Sequence, residues 1–68
     1  MSDTAAILLS QKIFQKQSTT LSKPVKRTLY DFREKSWDQR IYIVRQNHHF
    51  REGSANNYST ILEHFHAI

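Results

Sequence analysis

The sequence contains no cysteine, one glycine (Gly53) and one proline (Pro24) among its 68 residues. The absence of cysteine excludes a disulfide framework and a cysteine-ligated zinc site. It also fits a reducing intracellular location, either cytoplasmic or nucleoid-associated. Small β-rich domains usually need several glycines for their tight turns. The scarcity of glycine therefore favours helices.

Long apolar runs and catalytic motifs are also missing. The longest apolar run covers residues 5–9, whereas a membrane-spanning helix needs roughly 18 or more apolar residues. The sequence has no Gly-x-Ser-x-Gly elbow, no glycine-rich phosphate loop and no His-Glu-x-x-His pattern. We therefore expect no membrane partner, no enzymatic activity and no cofactor.

The four histidines, His48, His49, His64 and His66, raise the question of a metal site. Zinc needs several converging ligands, often including two histidines four positions apart on one helix face. His64 and His66 are two positions apart and would point to different faces of a helix. We expect surface or partly packed histidines and no metal site.

Acidic residues are scarce in the middle of the chain, where the positive charge is concentrated. All ten lysines and arginines lie between Lys12 and Arg51, and this window holds only three acids, so its net charge is ten minus three, or +7. A basic region of this size suggests a polyanionic partner, and nucleic acid is the commonest one.

Local ion pairs are expected to neutralise part of this charge. Arg27 and Asp31, and also Asp31 and Lys35, are four positions apart and would be neighbours on a helix. The middle of the basic window is thus expected to balance itself. The excess positive charge then resides in its flanks, at Lys12, Lys16, Lys23, Lys26, Arg45 and Arg51.

The first segment has the pattern of an amphipathic helix. Ala6, Leu9 and Ile13 recur at helical spacing. Ser2 or Thr4 can act as the N-cap, because a hydroxyl oxygen accepts a hydrogen bond from a free N–H group of the first turn. The segment is therefore predicted to form the first helix.

Two helices are predicted in the middle of the chain, near residues 23–34 and 37–47, with a tight connection between them. A serine-lysine-proline segment favours the start of the earlier helix. Ser36 and Gln39 form a Ser-x-x-Gln capping box for the later one. The apolar stripes of the two helices are Val25, Leu29 and Phe32, and Trp37, Ile41 and Val44.

A last helix is predicted after Asn56 or Asn57, either of which can cap it. Its apolar positions are Tyr58, Ile61, Leu62 and Phe65. The predicted fold is therefore mainly α, a small bundle of three to four short helices. Residues 1–68 are expected to form a single small basic binding domain.

Residues 41–44, Ile-Tyr-Ile-Val, support an alternative. Four consecutive β-branched or aromatic residues are a strong strand signal. As a strand, this segment would pair with residues 27–32 and give an α+β fold of order α-β-β-α, with a hairpin at about 27–45. The residues available for the turn, 33–36, are poor hairpin residues. Helix is the preferred prediction for residues 37–47, and the strand remains open.

The two middle helices have the proportions of a helix-turn-helix motif, whose second helix meets base edges in the major groove. Gln39 and Arg45 would point outward there, and glutamine and arginine are suited to reading adenine and guanine. The turn lacks the glycine that this motif often has. The candidate nucleic-acid-binding residues are Lys23, Lys26, Arg27, Arg33, Lys35, Gln39, Arg40, Arg45 and Arg51. No catalytic or metal-ligating residue is predicted.

Aromatic residues are interleaved with these cations, as on surfaces that stack nucleic-acid bases. Most of the aromatic side chains of so short a chain must build its core. Tyr30, Tyr42 and Phe50 fall off the apolar stripes. These three are the candidates for a contact surface.

The sequence thus predicts a small basic nucleic-acid-binding regulatory module that docks electrostatically on phosphates, with helix-turn-helix-like base contact. The alternative is a protein-interaction module (an inhibitor, adaptor or accessory subunit) that docks a basic and aromatic face on an acidic protein. A chain this short buries only about 60% of its extended surface. A homodimer or a place in a larger assembly is therefore expected to add buried area.

Overall fold

The computed structural model describes residues 2–48 and 56–63. This part of the chain forms four α-helices, α1 (Asp3–Phe14), α2 (Lys23–Glu34), α3 (Trp37–Asn47) and α4 (Asn57–Glu63), with a short 3₁₀ turn, Ser18–Thr20, between α1 and α2. It contains no strand. The predicted mainly helical fold is confirmed, and the hairpin alternative at about 27–45 is wrong because residues 37–47 are helical. None of these helices combines the length and the apolar composition that crossing a bilayer requires.

The first and last helices begin with side-chain caps of the predicted kind. Ser2 Oγ accepts a hydrogen bond from the Ala5 N–H at 3.2 Å at the start of α1. Asn56 Oδ1 accepts one from the Ser59 N–H at 2.8 Å at the start of α4. These bonds satisfy N–H groups that have no partner within the first turn of a helix.

The two middle helices differ in their caps, and the difference gives a test of stability. Ser36 Oγ accepts from the Gln39 N–H at 3.3 Å, and Gln39 Oε1 accepts from the Ser36 N–H at 3.4 Å. Ser22 precedes α2 without a side-chain cap bond. We expect Ser36→Ala to lower the free energy of unfolding by about 1 kcal/mol, and Ser22→Ala to lower it by less than about 0.5 kcal/mol. Urea unfolding followed by circular dichroism measures both, and equal losses would contradict the assigned caps.

The core joins all four helices. Helix α2 packs against α4, and α1 packs against α3. The predicted stripes of α1 and α2 are buried. The buried hydrophobic residues of the described chain are Ala6, Leu9, Ile13, Leu21, Val25, Leu29, Phe32, Val44, Ile61 and Leu62.

The buried face of α3 differs from the predicted stripe. Trp37 is 45% exposed and Ile41 is half-buried. The buried side chains of α3 are those of Arg40 and Val44, which are four positions apart. Val44 belongs to both faces and Arg40 replaces Trp37, so the inward face of α3 is turned by roughly 50° from the predicted one.

Candidate nucleic-acid interface

Among the described residues, four side chains on one face of α2 line an open groove, which we call the α2 groove. The groove has a volume of about 250 Å³ and is bordered by Lys23, Lys26, Arg27 and Tyr30. They follow one another at i, i+3, i+4 and i+7, the spacing that places residues on one side of a helix. Lys23 and Arg27 are exposed, Lys26 is half-buried and Tyr30 is 50% exposed. The groove thus brings together three of the predicted nucleic-acid-binding residues and Tyr30, one of the aromatic residues predicted to form a contact surface.

The cations of the α2 groove have no carboxylate partners among the described residues. The expected pairs of Asp31 with Arg27 and with Lys35 are not made, so the predicted local neutralisation is wrong. Asp31 lies close enough to Tyr58 of α4 to act on it. Burial, and secondarily the Asp31 carboxylate, raise the pKa of the Tyr58 hydroxyl above its usual value. Among the described residues, the cations of the groove thus form no ion pair.

The position of Lys23 on the helix is unfavourable for stability. Lys23 is the first residue of α2, and the first turn of this helix contains no acidic residue. The N-terminal end of a helix carries partial positive charge, so a cation there typically costs about 0.3–1 kcal/mol. Residues that violate such a local rule are expected chiefly at functional sites. The arrangement therefore marks the α2 groove as a candidate binding surface.

Tyr30 is held in a defined position at one end of the α2 groove. Its hydroxyl lies 3.2 Å from Ser18 Oγ in the 3₁₀ turn. The guanidinium carbon of Arg33 lies over its ring, 5.8 Å from the ring centre. A contact with the 3₁₀ turn and a contact with Arg33 of the same helix thus orient this exposed ring.

Arg33 is engaged with the backbone at the end of α1. Its Nε donates a hydrogen bond to the Phe14 carbonyl oxygen at 2.9 Å, and its Nη2 donates to the Lys16 carbonyl oxygen. The last carbonyls of a helix have no partner within the helix. Arg33 therefore caps α1 from α2, and we do not include it among the phosphate contacts.

Arg40 performs the same task at the end of α2. Its Nε donates to the Phe32 carbonyl oxygen at 2.9 Å, and its Nη2 donates to the Arg33 carbonyl oxygen. Its guanidinium carbon lies 4.6 Å from the centre of the Phe14 ring and 4.5 Å from that of Trp37. Arg40 is only 8% exposed. A guanidinium so buried and bonded to carbonyl oxygens is poorly placed for a phosphate, so we do not include Arg40 among the phosphate contacts.

The remaining predicted site residues are scattered. Arg45 forms an exposed ion pair with Asp3 of α1, and Gln39 belongs to the capping box of α3. Lys35 is half-buried directly after α2. The predicted functional, aromatic and core residues outside the described part of the chain are His49, Phe50, Arg51, His64, Phe65 and His66.

Each of the two middle helices packs mainly against a helix other than its neighbour in the sequence. Helix α2 packs mainly against α4, and α3 packs mainly against α1. On the outward face of α3, Tyr42 is 60% exposed and its hydroxyl accepts a hydrogen bond from Gln46 Nε2 at 2.6 Å. The described candidate cations that share one groove thus lie on α2 and not on α3.

The α2 groove has the chemistry of an anion-binding surface with an aromatic ring at one end. Comparisons with family models, curated proteins and solved structures find no match for this chain. Its function is therefore inferred from its own side chains. Within the described residues there is no group of three or more histidine, cysteine, aspartate or glutamate side chains that could hold a metal ion.

Proposed function

We propose that this protein is a small regulatory module that binds nucleic acid through the α2 groove. The observation that carries the proposal is the convergence of Lys23, Lys26 and Arg27 on one open face, without carboxylate partners among the described residues. Each of these cations can contact one phosphate. Counterions released from the phosphates would then supply most of the binding free energy.

The ring of Tyr30 favours nucleic acid over an acidic protein as the partner. Both partners would satisfy the three cations. A nucleic acid also offers planar bases to an exposed aromatic ring, and such stacking is worth about 1–3 kcal/mol per base. An acidic segment rich in aspartate and glutamate offers no comparable surface. The pairing of cations with an exposed ring therefore supports nucleic acid.

The module would act by covering the stretch of nucleic acid to which it binds. A protein bound to phosphates blocks access to that stretch of nucleic acid, and binding through phosphates alone carries no sequence information. We therefore expect weak sequence preference and an affinity in the range typical of non-specific binding, about 10⁻⁴ to 10⁻⁶ M at physiological salt. A regulatory effect would then depend on the local concentration of the protein.

The salt dependence of binding tests this proposal. Fluorescence anisotropy of a labelled oligonucleotide gives the association constant over a series of salt concentrations from about 20 to 300 mM. Three phosphate contacts predict a log–log slope of about −2 for a single strand and about −3 for a duplex. No binding at the lowest salt concentration, or a slope near zero, would overturn the proposal.

A poly-glutamate peptide serves as the competing ligand in the same assay. If the α2 groove is a nucleic-acid site, the peptide should displace the oligonucleotide only at a concentration at least about tenfold higher than that of an unlabelled oligonucleotide, because it offers nothing for Tyr30 to stack on. Equal competition would instead support the acidic-protein alternative.

A further inference from the structure

Tyr30 offers a ligand its ring rather than its hydroxyl group. The hydroxyl is already within hydrogen-bond distance of Ser18 Oγ, at 3.2 Å. The ring remains 50% exposed, and Arg33 lies over it with its own guanidinium fixed to the Phe14 carbonyl oxygen. An exposed side chain that is oriented in advance loses less conformational entropy when it binds. The ring is therefore suited to act as a fixed stacking platform.

We infer that the ligand of the α2 groove is single-stranded nucleic acid, with one base stacked on Tyr30 and the flanking phosphates held by Lys23, Lys26 and Arg27. This inference rests on the proposed function and specifies its substrate class. Proteins that bind single strands combine a positively charged groove with aromatic side chains on which bases stack. The α2 groove has both parts on one helix face.

The dimensions of the α2 groove fit a short piece of one strand. Lys23 and Tyr30 are seven positions apart on a helix, which corresponds to a rise of roughly 10 Å. Successive phosphates of one strand are separated by about 3.4 Å along a stacked helix and by more in an extended strand. Two or three nucleotides therefore span the distance from the first cation to the ring.

A duplex would use the same groove less completely. Its bases are stacked on one another, so a base can reach Tyr30 only after unstacking and unpairing, which costs a few kcal/mol. The phosphates of a duplex remain available to the three cations. Duplex binding is thus expected to lack the contribution of the ring.

The other exposed aromatic side chains of the described residues do not share this environment. Trp37 lies against Arg40 and Phe14, and Tyr42 is hydrogen-bonded to Gln46. Neither lines the α2 groove. Tyr42, which is 60% exposed, is therefore a matched control for a substitution at Tyr30.

The test compares Tyr30→Leu and Tyr42→Leu with the wild type on three probes of equal length: oligothymidylate, an abasic oligonucleotide with the same number of phosphates, and a duplex. We expect Tyr30→Leu to weaken oligothymidylate binding by about tenfold, and to change abasic and duplex binding by less than about twofold. Tyr42→Leu should leave all three affinities unchanged. An oligouridylate arm shows whether the strand is preferred as RNA or as DNA, since both offer stackable bases. Circular dichroism verifies that both variants are folded.

The possible results separate the two proposals. If Tyr30→Leu leaves oligothymidylate binding unchanged, or weakens the abasic probe equally, stacking is refuted while phosphate binding through the α2 groove stands. Wild-type protein that binds the duplex as tightly as the single strand would also refute the inference. If no probe binds even at low salt, the proposed function itself fails.

Discussion

Lys23→Glu is expected to make the protein more stable and, at the same time, a weaker binder of nucleic acid. The substitution removes a cation from the positive end of the α2 dipole and places a carboxylate there. Each of these changes is worth about 0.3–1 kcal/mol, so the midpoint of thermal unfolding should rise by roughly 5 °C. The same substitution replaces a phosphate contact with a repulsive charge, and affinity for an oligonucleotide should fall at least about tenfold.

Lys12→Glu is the matched control, because it changes the net charge by the same amount outside the α2 groove. Lys12 is exposed and lies in the last turn of α1, where a cation is favourable. This variant should be slightly less stable than the wild type, and its affinity should fall by no more than about threefold through long-range charge alone. Equal losses of affinity in the two variants would show that net charge, rather than the α2 groove, governs binding. A loss of stability in Lys23→Glu would contradict the role assigned to the helix dipole.

Arg40→Ala is expected to remove most of the stability of the protein. The substitution removes the donors to the Phe32 and Arg33 carbonyl oxygens and the guanidinium that lies against Phe14 and Trp37. Hydrogen bonds from a charged donor contribute about 1.5–3 kcal/mol, and a partly buried cation–π contact contributes about 0.5–2 kcal/mol. A loss of about 3 kcal/mol is therefore expected. It approaches the whole stability of a domain of this size, about 3–5 kcal/mol.

Two further variants test the reason for this loss. Arg40→Lys keeps the charge, but a single ammonium group lacks the planar fork that serves two carbonyl oxygens and stacks on rings. It should recover less than about half of the lost stability. Arg45→Ala removes only an exposed ion pair with Asp3 and should cost less than about 1 kcal/mol. Urea unfolding followed by circular dichroism gives all three values. A stability of Arg40→Ala within about 1 kcal/mol of the wild type would show that Arg40 does not hold α1, α2 and α3 together.

The helices were predictable because their signals are local. Val25, Leu29 and Phe32 are buried as their spacing predicts, and the capping box of Ser36 and Gln39 forms as the sequence indicates. Residues 41–44 lie in helix α3 despite their high β propensity. A cap at the start of α3 and packing against α1 stabilise the helix, and tertiary packing commonly overrides β propensity.

The orientation of α3 and the roles of two arginines were not predictable from the apolar pattern. The predicted stripe of Trp37, Ile41 and Val44 assumes that arginine side chains face the solvent. Arg40 is nevertheless buried, because two carbonyl oxygens accept hydrogen bonds from its guanidinium and two aromatic rings pack against it. These partners come from α1, α2 and α3 itself, so local spacing cannot reveal them. One signal was present in the sequence: Arg40 is four positions before Val44 and therefore shares its face.

The kinds of residue in the candidate site were predictable from the sequence, but the location of the site in the fold was not. The excess of basic residues indicates a polyanionic ligand, and Lys23, Lys26 and Arg27 belong to the predicted set. Helical spacing also suggested that Asp31 would neutralise Arg27, which the structure does not support. A pair at i, i+4 is worth only about 0.3–0.5 kcal/mol. Other contacts of either residue can therefore outweigh it.

The most direct test of the central claim, that nucleic acid binds in the α2 groove, is an NMR titration. Uniformly ¹⁵N-labelled protein is titrated with a short oligothymidylate while backbone amide chemical shifts are recorded. The largest changes should fall between Ser22 and Tyr30, with smaller ones at Ser18 beside the Tyr30 hydroxyl. The outward residues of α3, Gln39 and Tyr42, should remain unperturbed. Changes concentrated on α3, or spread evenly over the protein, would contradict the claim.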